Sequence, residues 1–195
     1  MDFSYKKKVV LGKLAIAKEQ GLVDEDILPI LNLLNENEHY CTTSSCSGRI
    51  TLIEIENIGK KNKSMFHWKS HIVPDKINLI SEIKKEREFQ GDFWLMVEPP
   101  VLHIIAKSTD QGNKLLEIGH LAHMKRSGIR STKKWIIVEL WGTGSLEVPL
   151  GSKSKIFAQK NEDYVEFLCE KAITAMNHGK KQLKQLNEEI MKKFI

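Results

Sequence analysis

A chain of 195 residues is long enough to bury a core without help from metals or disulfides, so one domain is expected, any lobes lying within one folded unit. Hydrophobic residues make up 41% and charged residues 28%, with five prolines and twelve glycines, which excludes a disordered or fibrous chain. The net charge of +5 suits an anionic partner, nucleic acid first, and no apolar run approaches the ~18 residues of a membrane span.

The N-terminal MDFSYKKKVVLGKLAIAKEQ mixes lysines with apolar residues at helical spacing and lacks the uninterrupted core of a signal peptide. The three cysteines are odd in number, with Cys169 far from the other two, and do not make a disulfide framework. Both features predict a cytoplasmic protein.

Two helices open the chain. Ser4 to Gln20 is closed by Gly21, and Asp24 to Glu38 carries Ile27, Ile30, Leu31 and Leu34 on one face, with Pro29 in the first turn and Asp24 as a good N-cap. Arg49 to Ile58 alternates as a half-buried strand, and the lysine-rich GKKNKS after it reads as a surface turn. MFHWKSHIV gives a second strand, Asp75 to Gly91 a helix stopped by its glycine, and Asp92 to Ser108 two strands split by Pro99 and Pro100. A helix over Gly112 to Gly128, a strand over Lys134 to Leu140, the short run SLEVPL and a long helix from about Asn161 complete the chain. The uneven alternation predicts an α/β or mixed α+β fold, a mixed sheet flanked by helices.

KWIIVELWGTGSLEVPL, Lys134 to Leu150, looks like the strand and Gly-rich turn of a Rossmann methyltransferase. Too little chain follows Gly144 for the remaining βα units, and Trp141 stands where the first glycine belongs. Gly142 and Gly144 are better explained as a hairpin or bulge that needs positive φ.

The densest chemistry is HYCTTSSCSGRI, read as a loop between a helix and the first strand. Thr42, Thr43, Ser44, Ser45 and Ser47 offer hydroxyls, Cys46 a thiol, Gly48 close backbone approach and Arg49 a fixed cation, a set able to cradle a carboxylate or phosphate. A plain turn needs neither the arginine nor so many hydroxyls. His39, Cys41 and Cys46 are zinc-type ligands without a fourth at metal-site spacing, and His120 and His123 share a helical spacing without a carboxylate in reach, so no metal is expected. His103 alternates with Val101 and Ile105 on one strand face, pointing either to the core or to a site. Lys125, Arg126, Arg130, Lys133 and Lys134 surround a Ser-Gly turn near Trp135 and Trp141, suiting a phosphate backbone and a stacked base. A non-catalytic RNA-binding protein would use the same turn, and an enzyme of small anionic metabolites the Ser/Thr loop.

Taken in order, TTSSCSGRI, EPPVLHIIAKS, RSGIRST and GSLEVPL resemble the wybutosine-synthesis methyltransferase family, tRNA wybutosine-synthesizing protein 3 and its archaeal relatives, over nearly the whole chain from about Asp24. The resemblance implies a non-Rossmann methyltransferase fold. It implies S-adenosyl-L-methionine as cofactor and N-methylation of the 4-demethylwyosine-type base beside the anticodon of tRNA(Phe). Its motif falls on Thr42, Ser44, Ser45, Cys46, Gly48 and Arg49, and its aspartate and histidine on Asp24 and His103, with His71 a second possibility for the histidine. Catalytic roles are thus expected for Asp24, Ser45 and His103. Cofactor contacts are expected from Thr42, Ser44, Cys46, Gly48, Arg49 and Gly144, and tRNA contacts from the five basic residues at 125–134.

Overall fold

The computed structural model describes residues 2–56 and 64–194. The end of the strand expected to reach Ile58 and most of the lysine-rich turn lie outside the described residues. In chain order the elements are α1 (Phe3–Glu19), a 3-10 turn (Glu25–Ile27), α2 (Leu28–Glu36), β1 (Tyr40–Cys46), β2 (Arg49–Ile55), β3 (Ser64–Ser70), α3 (Lys76–Lys84), β4 (Asp92–Glu98) and β5 (Val101–Ala106). There follow α4 (Thr109–Leu121), β6 (Gly128–Ser131), β7 (Ile136–Trp141), β8 (Leu146–Ser152), β9 (Lys155–Ile156) and α5 (Glu162–Phe194). The chain divides into two compact units: Met1–Ser47, Pro100–Thr143 and Gly179–Ile195 form one, Gly48–Pro99 and Gly144–His178 the other.

The first unit holds a sheet in the order β1-β5-β7-β6, every pairing antiparallel. Strand alternation puts Tyr40, Leu102, Ile104, Val138 and Leu140 in one apolar cluster. Against them pack the expected stripe of Ile27, Ile30, Leu31 and Leu34, Leu115 and Ile118 of α4, and Leu183, Leu186 and Ile190 of α5. The close approach of α4 to the sheet runs through glycine, since a Cβ on Gly119 would lie 2.9 Å from Leu140 Cδ2. The opposite face carries His103, Glu139 and Ser44.

The second unit has the order β3-β2-β4-β8-β9, again antiparallel throughout. Ile50, Leu52, Phe93, Leu95 and Val97 meet Leu79 and Ile83 of α3 and Val165, Leu168, Ala172 and Met176 of α5. Helices and strands mix as expected, but the strands form two sheets instead of one, and among the described residues no parallel pairing of the Rossmann kind occurs.

Several boundaries depart from the sequence pattern for tertiary reasons. The third helix ends at Lys84, not Gly91, because Phe89 is drawn into the core to stack on Phe93 at 5.0 Å. Gly91 serves close packing: a Cβ there would sit 2.6 Å from Ile55 O. The fourth helix starts at Thr109, capped by Ser108, and stops at Leu121, and His123 adopts φ 61°, so His120 and His123 do not share a helix face. The Ser/Thr stretch read as a loop is strand β1, and a further strand, β6, lies inside the basic turn. Gly144 has the expected positive φ, 87°, but β7 and β8 belong to different sheets and form no hairpin. Among the described residues, no helix is long and apolar enough to cross a membrane.

Among the described residues of the second unit, one carboxylate is buried. Glu54 accepts hydrogen bonds from Gln90 N at 2.7 Å and Gly91 N at 2.8 Å, and its Oε2 lies 3.1 Å from His67 Nε2. Burial alone would raise its pKa, but the amides of Gly91 and Gln90 and the His67 ring outweigh that and hold the carboxyl below its ordinary value. Because the folded pKa is depressed, the stabilisation is complete above the ordinary carboxylate value and is lost as pH falls through the lowered one. Replacing Glu54 by Gln should therefore cost about 1–3 kcal/mol in urea unfolding at neutral pH. The gap from the parent protein should narrow below about pH 4.

Candidate active site

In the first unit, the hydroxyl-rich segment is positioned by its pairing with β5. The register runs Thr42↔Ile104 and then Ser44↔His103, so Thr43 is a bulge residue that re-aims the end of β1. Thr43 Oγ1 donates to the carbonyl of His103 at 3.1 Å, locking the bulge to its partner strand. Beyond it Ser44 shares a face with His103, whereas Ser45, opposite Leu102, falls on the other face. The two serines, adjacent in sequence, are therefore placed on opposite sides of the sheet. Cys46, opposite Val101, returns to the face of His103.

A chain of polar contacts crosses that face through all four strands. Ser44 Oγ lies 2.9 Å from His103 Nδ1, and His103 Nε2 lies 2.8 Å from Glu139 Oε2. Glu139 Oε1 accepts from Arg130 Nε at 2.7 Å and also from its Nη2. The Glu139 side chain is only 9% exposed, against 34% for His103 and 52% for Arg130, so the series runs from an exposed serine on β1 to a buried carboxylate and back out to a cation on β6. The carboxylate beside Arg130 holds its guanidinium above the ordinary value, and the Arg130 Cζ lies 5.8 Å from the Trp141 ring centroid. Arg130, expected among the RNA contacts, is thus bound into the sheet. Glu139 is the residue that sequence reasoning passed over; its signal was an acidic side chain inside the apolar run WIIVEL, where a buried charge needs a partner.

A second group anchors the end of β1. Asp24 begins the 3-10 turn, but its side chain makes no cap hydrogen bond; Asp24 Oδ2 accepts from Ser47 N at 2.8 Å instead. Ser47 Oγ accepts from Lys180 Nζ at 3.0 Å, and Lys180 pairs with Asp26 at 2.6 Å. Thr42 is clamped by Asn35, which accepts from its amide at 2.9 Å and donates to its hydroxyl at 2.7 Å. Cys41 is fully buried and burial pushes its thiol pKa up, which disfavours the thiolate that a zinc site requires.

In the second unit, Gly48 has φ 87°, a conformation that favours glycine, and leads into Arg49 at the start of β2. Arg49 pairs with Glu98 of β4, and its Cζ stands 5.1 Å from the Phe66 ring centroid. His71 is half-buried in the turn after β3. At Gly144 a Cβ would lie 3.1 Å from His178 Cδ2. Back in the first unit, Lys125 and Arg126 are exposed after α4, and Lys133 and Lys134 are exposed in the β6–β7 connection next to Trp135, which makes an edge contact with Phe3.

Among the described residues the strands make two antiparallel sheets and no parallel nucleotide-binding core, an α/β fold other than the Rossmann one. The chain belongs to the TYW3 family: the family model described as Methyltransferase TYW3 matches residues 5–192. It is 37% identical over 190 residues to a protein of Pyrococcus abyssi named tRNA(Phe) 7-((3-amino-3-carboxypropyl)-4-demethylwyosine(37)-N(4))-methyltransferase 1, covering 97% of this chain and 96% of that one. A Methanocaldococcus jannaschii methyltransferase of the same name without the numeral is 34% identical over 195 residues, 98% of this chain and 95% of the other. The solved structure of the PH1069 protein from Pyrococcus horikoshii superposes with a TM-score of 0.89 at 37% identity, covering 96% and 95% of the two chains.

The anchoring of Ser47 is open to measurement. Asp24→Ala strands the buried amide of Ser47 and should cost about 1–3 kcal/mol in chemical denaturation, whereas Asp24→Asn keeps an acceptor and should cost less than about half of that.

Proposed function

We propose that this protein N-methylates the 4-demethylwyosine-type tricyclic base beside the anticodon of tRNA(Phe), with the whole chain acting as one methyltransferase domain in the cytoplasm. The observation that carries this reading is the near full-length match to relatives bearing that activity in their names. The Ser44–His103–Glu139 series supports it by supplying a group able to take up a proton.

S-adenosyl-L-methionine is the proposed methyl donor; it supplies a methyl group on a positively charged sulfur. The chemistry of the side chains suits such a ligand within each unit. The first offers the β1 hydroxyls, Cys46 and the carboxylate of Asp24; the second offers Gly48, free of a side chain at φ 87°, the Arg49 cation and Gly144. Thr42, clamped by Asn35, serves this reading by holding β1 in place.

Methylating a ring nitrogen that carries hydrogen releases a proton, so the chain has to hold the nitrogen in line and remove that proton. His103 stands on the sheet face with one ring nitrogen tied to a buried carboxylate and the other directed to an exposed hydroxyl. That arrangement fixes the ring and makes the second nitrogen available as a base. The exposed Lys125, Arg126, Lys133 and Lys134 suit the phosphates of an anticodon arm, whose unpaired bases are already accessible. Arg130 joins them only through its outer edge, since Glu139 takes the inner one.

Incubation of the protein and S-adenosyl-L-methionine with tRNA(Phe) from cells lacking this gene should add one methyl group to the modified base, read by mass spectrometry of the digested nucleosides. Folded protein that binds the tRNA in a salt-dependent way and adds no methyl group would instead identify an RNA-binding module. Changing Lys133 and Lys134 together to Ala should weaken tRNA binding and reduce the salt dependence of log K by about 1–2 units of slope.

A further inference from the structure

We infer that Ser44 and His103 form the proton-accepting pair of the site, with Glu139 and Arg130 as the positioning residues that set the tautomer of the histidine. The inference rests on the proposed methyl transfer and assigns its proton path.

The tautomer follows from the partners. Oε1 of Glu139 accepts from Arg130, and Oε2 lies 2.8 Å from His103 Nε2. A carboxylate held by a guanidinium has no proton to give, so His103 Nε2 carries the hydrogen, and in the neutral ring Nδ1 presents its lone pair. The only polar group hydrogen-bonded to Nδ1 among the described residues is Ser44 Oγ, at 2.9 Å, and it therefore donates. The serine is exposed, so its oxygen keeps a lone pair toward solvent and toward whatever base is seated there.

Burying a carboxylate on a sheet face costs more than an apolar residue of similar size would, and strand pairing needs neither the histidine nor the glutamate. What the series accomplishes is directional. A proton taken up at the serine oxygen passes inward, and the cation formed at the ring is offset by a carboxylate already in place. In the reaction, the bond from the donor carbon to sulfur breaks with its electron pair left on sulfur, and the ring nitrogen forms the new bond to that carbon. The proton of that nitrogen moves to Ser44 Oγ, and the hydroxyl proton of Ser44 moves to His103 Nδ1, leaving an imidazolium against Glu139 and a neutral serine. Charge and atoms balance with no further reactant. The bulge at Thr43 belongs to the same device, because it is what turns Ser44 and not Ser45 toward His103.

The experiment combines kinetics with nitrogen NMR of the full chain. In the 15N-labelled wild-type protein, with the resonance assigned by its loss in His103→Gln, His103 should show the Nε2–H tautomer with an unprotonated Nδ1. Glu139→Gln preserves shape but turns an NH2 toward the ring, and should shift the ring toward Nδ1–H, the logic by which an amide in place of a triad carboxylate fixes the wrong tautomer. Ser44→Ala and Glu139→Gln should each lower kcat by about 10²-fold, the scale of general-base catalysis, with KM for tRNA changed less than about threefold. Wild-type protein with the Nδ1–H tautomer and intact methyl transfer overturns the relay alone, as does full kcat in either variant. Absence of methyl transfer by wild-type protein overturns the functional reading itself, a result the tautomer measurement keeps separate.

Discussion

A charge buried on a sheet must be answered where it stands, and in the first unit that charge is Glu139. Its side chain is 9% exposed, so neither oxygen can rely on water, and each has a dedicated partner, His103 on β5 and Arg130 on β6. This requirement ties three strands together by side chains as well as by backbone. It also orients the His103 ring, and through the ring it gives the hydroxyl of Ser44 on the fourth strand a direction. Remove the carboxylate, and the His103 ring loses the partner on its Nε2 and keeps its contact to Ser44 at Nδ1.

The second unit solves the same electrostatic problem differently. Glu54 is buried to a similar degree beside His67, but its remaining partners are the backbone amides of Gln90 and Gly91, and aromatic rings of Phe89 and Phe93 flank the histidine. That network fastens the segment between α3 and β4, and among the described residues it leads to no exposed hydroxyl. The network around Glu139 instead ends at Ser44, on the surface. The two pairs, both Glu and His, differ in where the chain of hydrogen bonds emerges and not in residue type.

Much of the fold was legible in the sequence because periodicity is local. The stripe Ile27, Ile30, Leu31 and Leu34, the alternation of β4 and β5, and the long final helix all follow from side-chain spacing. The failures share a cause. The helix expected to reach Gly91 stops at Lys84 because Phe89 and the amides at 90 and 91 are needed by partners distant in sequence. Strand β1 was hidden because Ser and Thr read as turn residues, although in an antiparallel pair with one polar face they serve well. Asp24 looked like a helix cap, and only its spatial neighbour Ser47 shows that the carboxylate anchors a strand end.

The sequence by itself determined the family and supplied the candidates for its site, the Thr42 to Arg49 motif, His103 and the basic residues at 125–134, since these are matters of residue type and order. Only the tertiary structure decided the partnerships. A one-residue bulge at Thr43 inverts which of two adjacent serines faces the histidine, and strand pairing brings Glu139 to His103, 36 positions away, and His103 to Ser44, 59 positions away. Alternation along a strand has a period of two, so a single inserted residue reverses every assignment beyond it, and such an insertion leaves its mark in the pairing register.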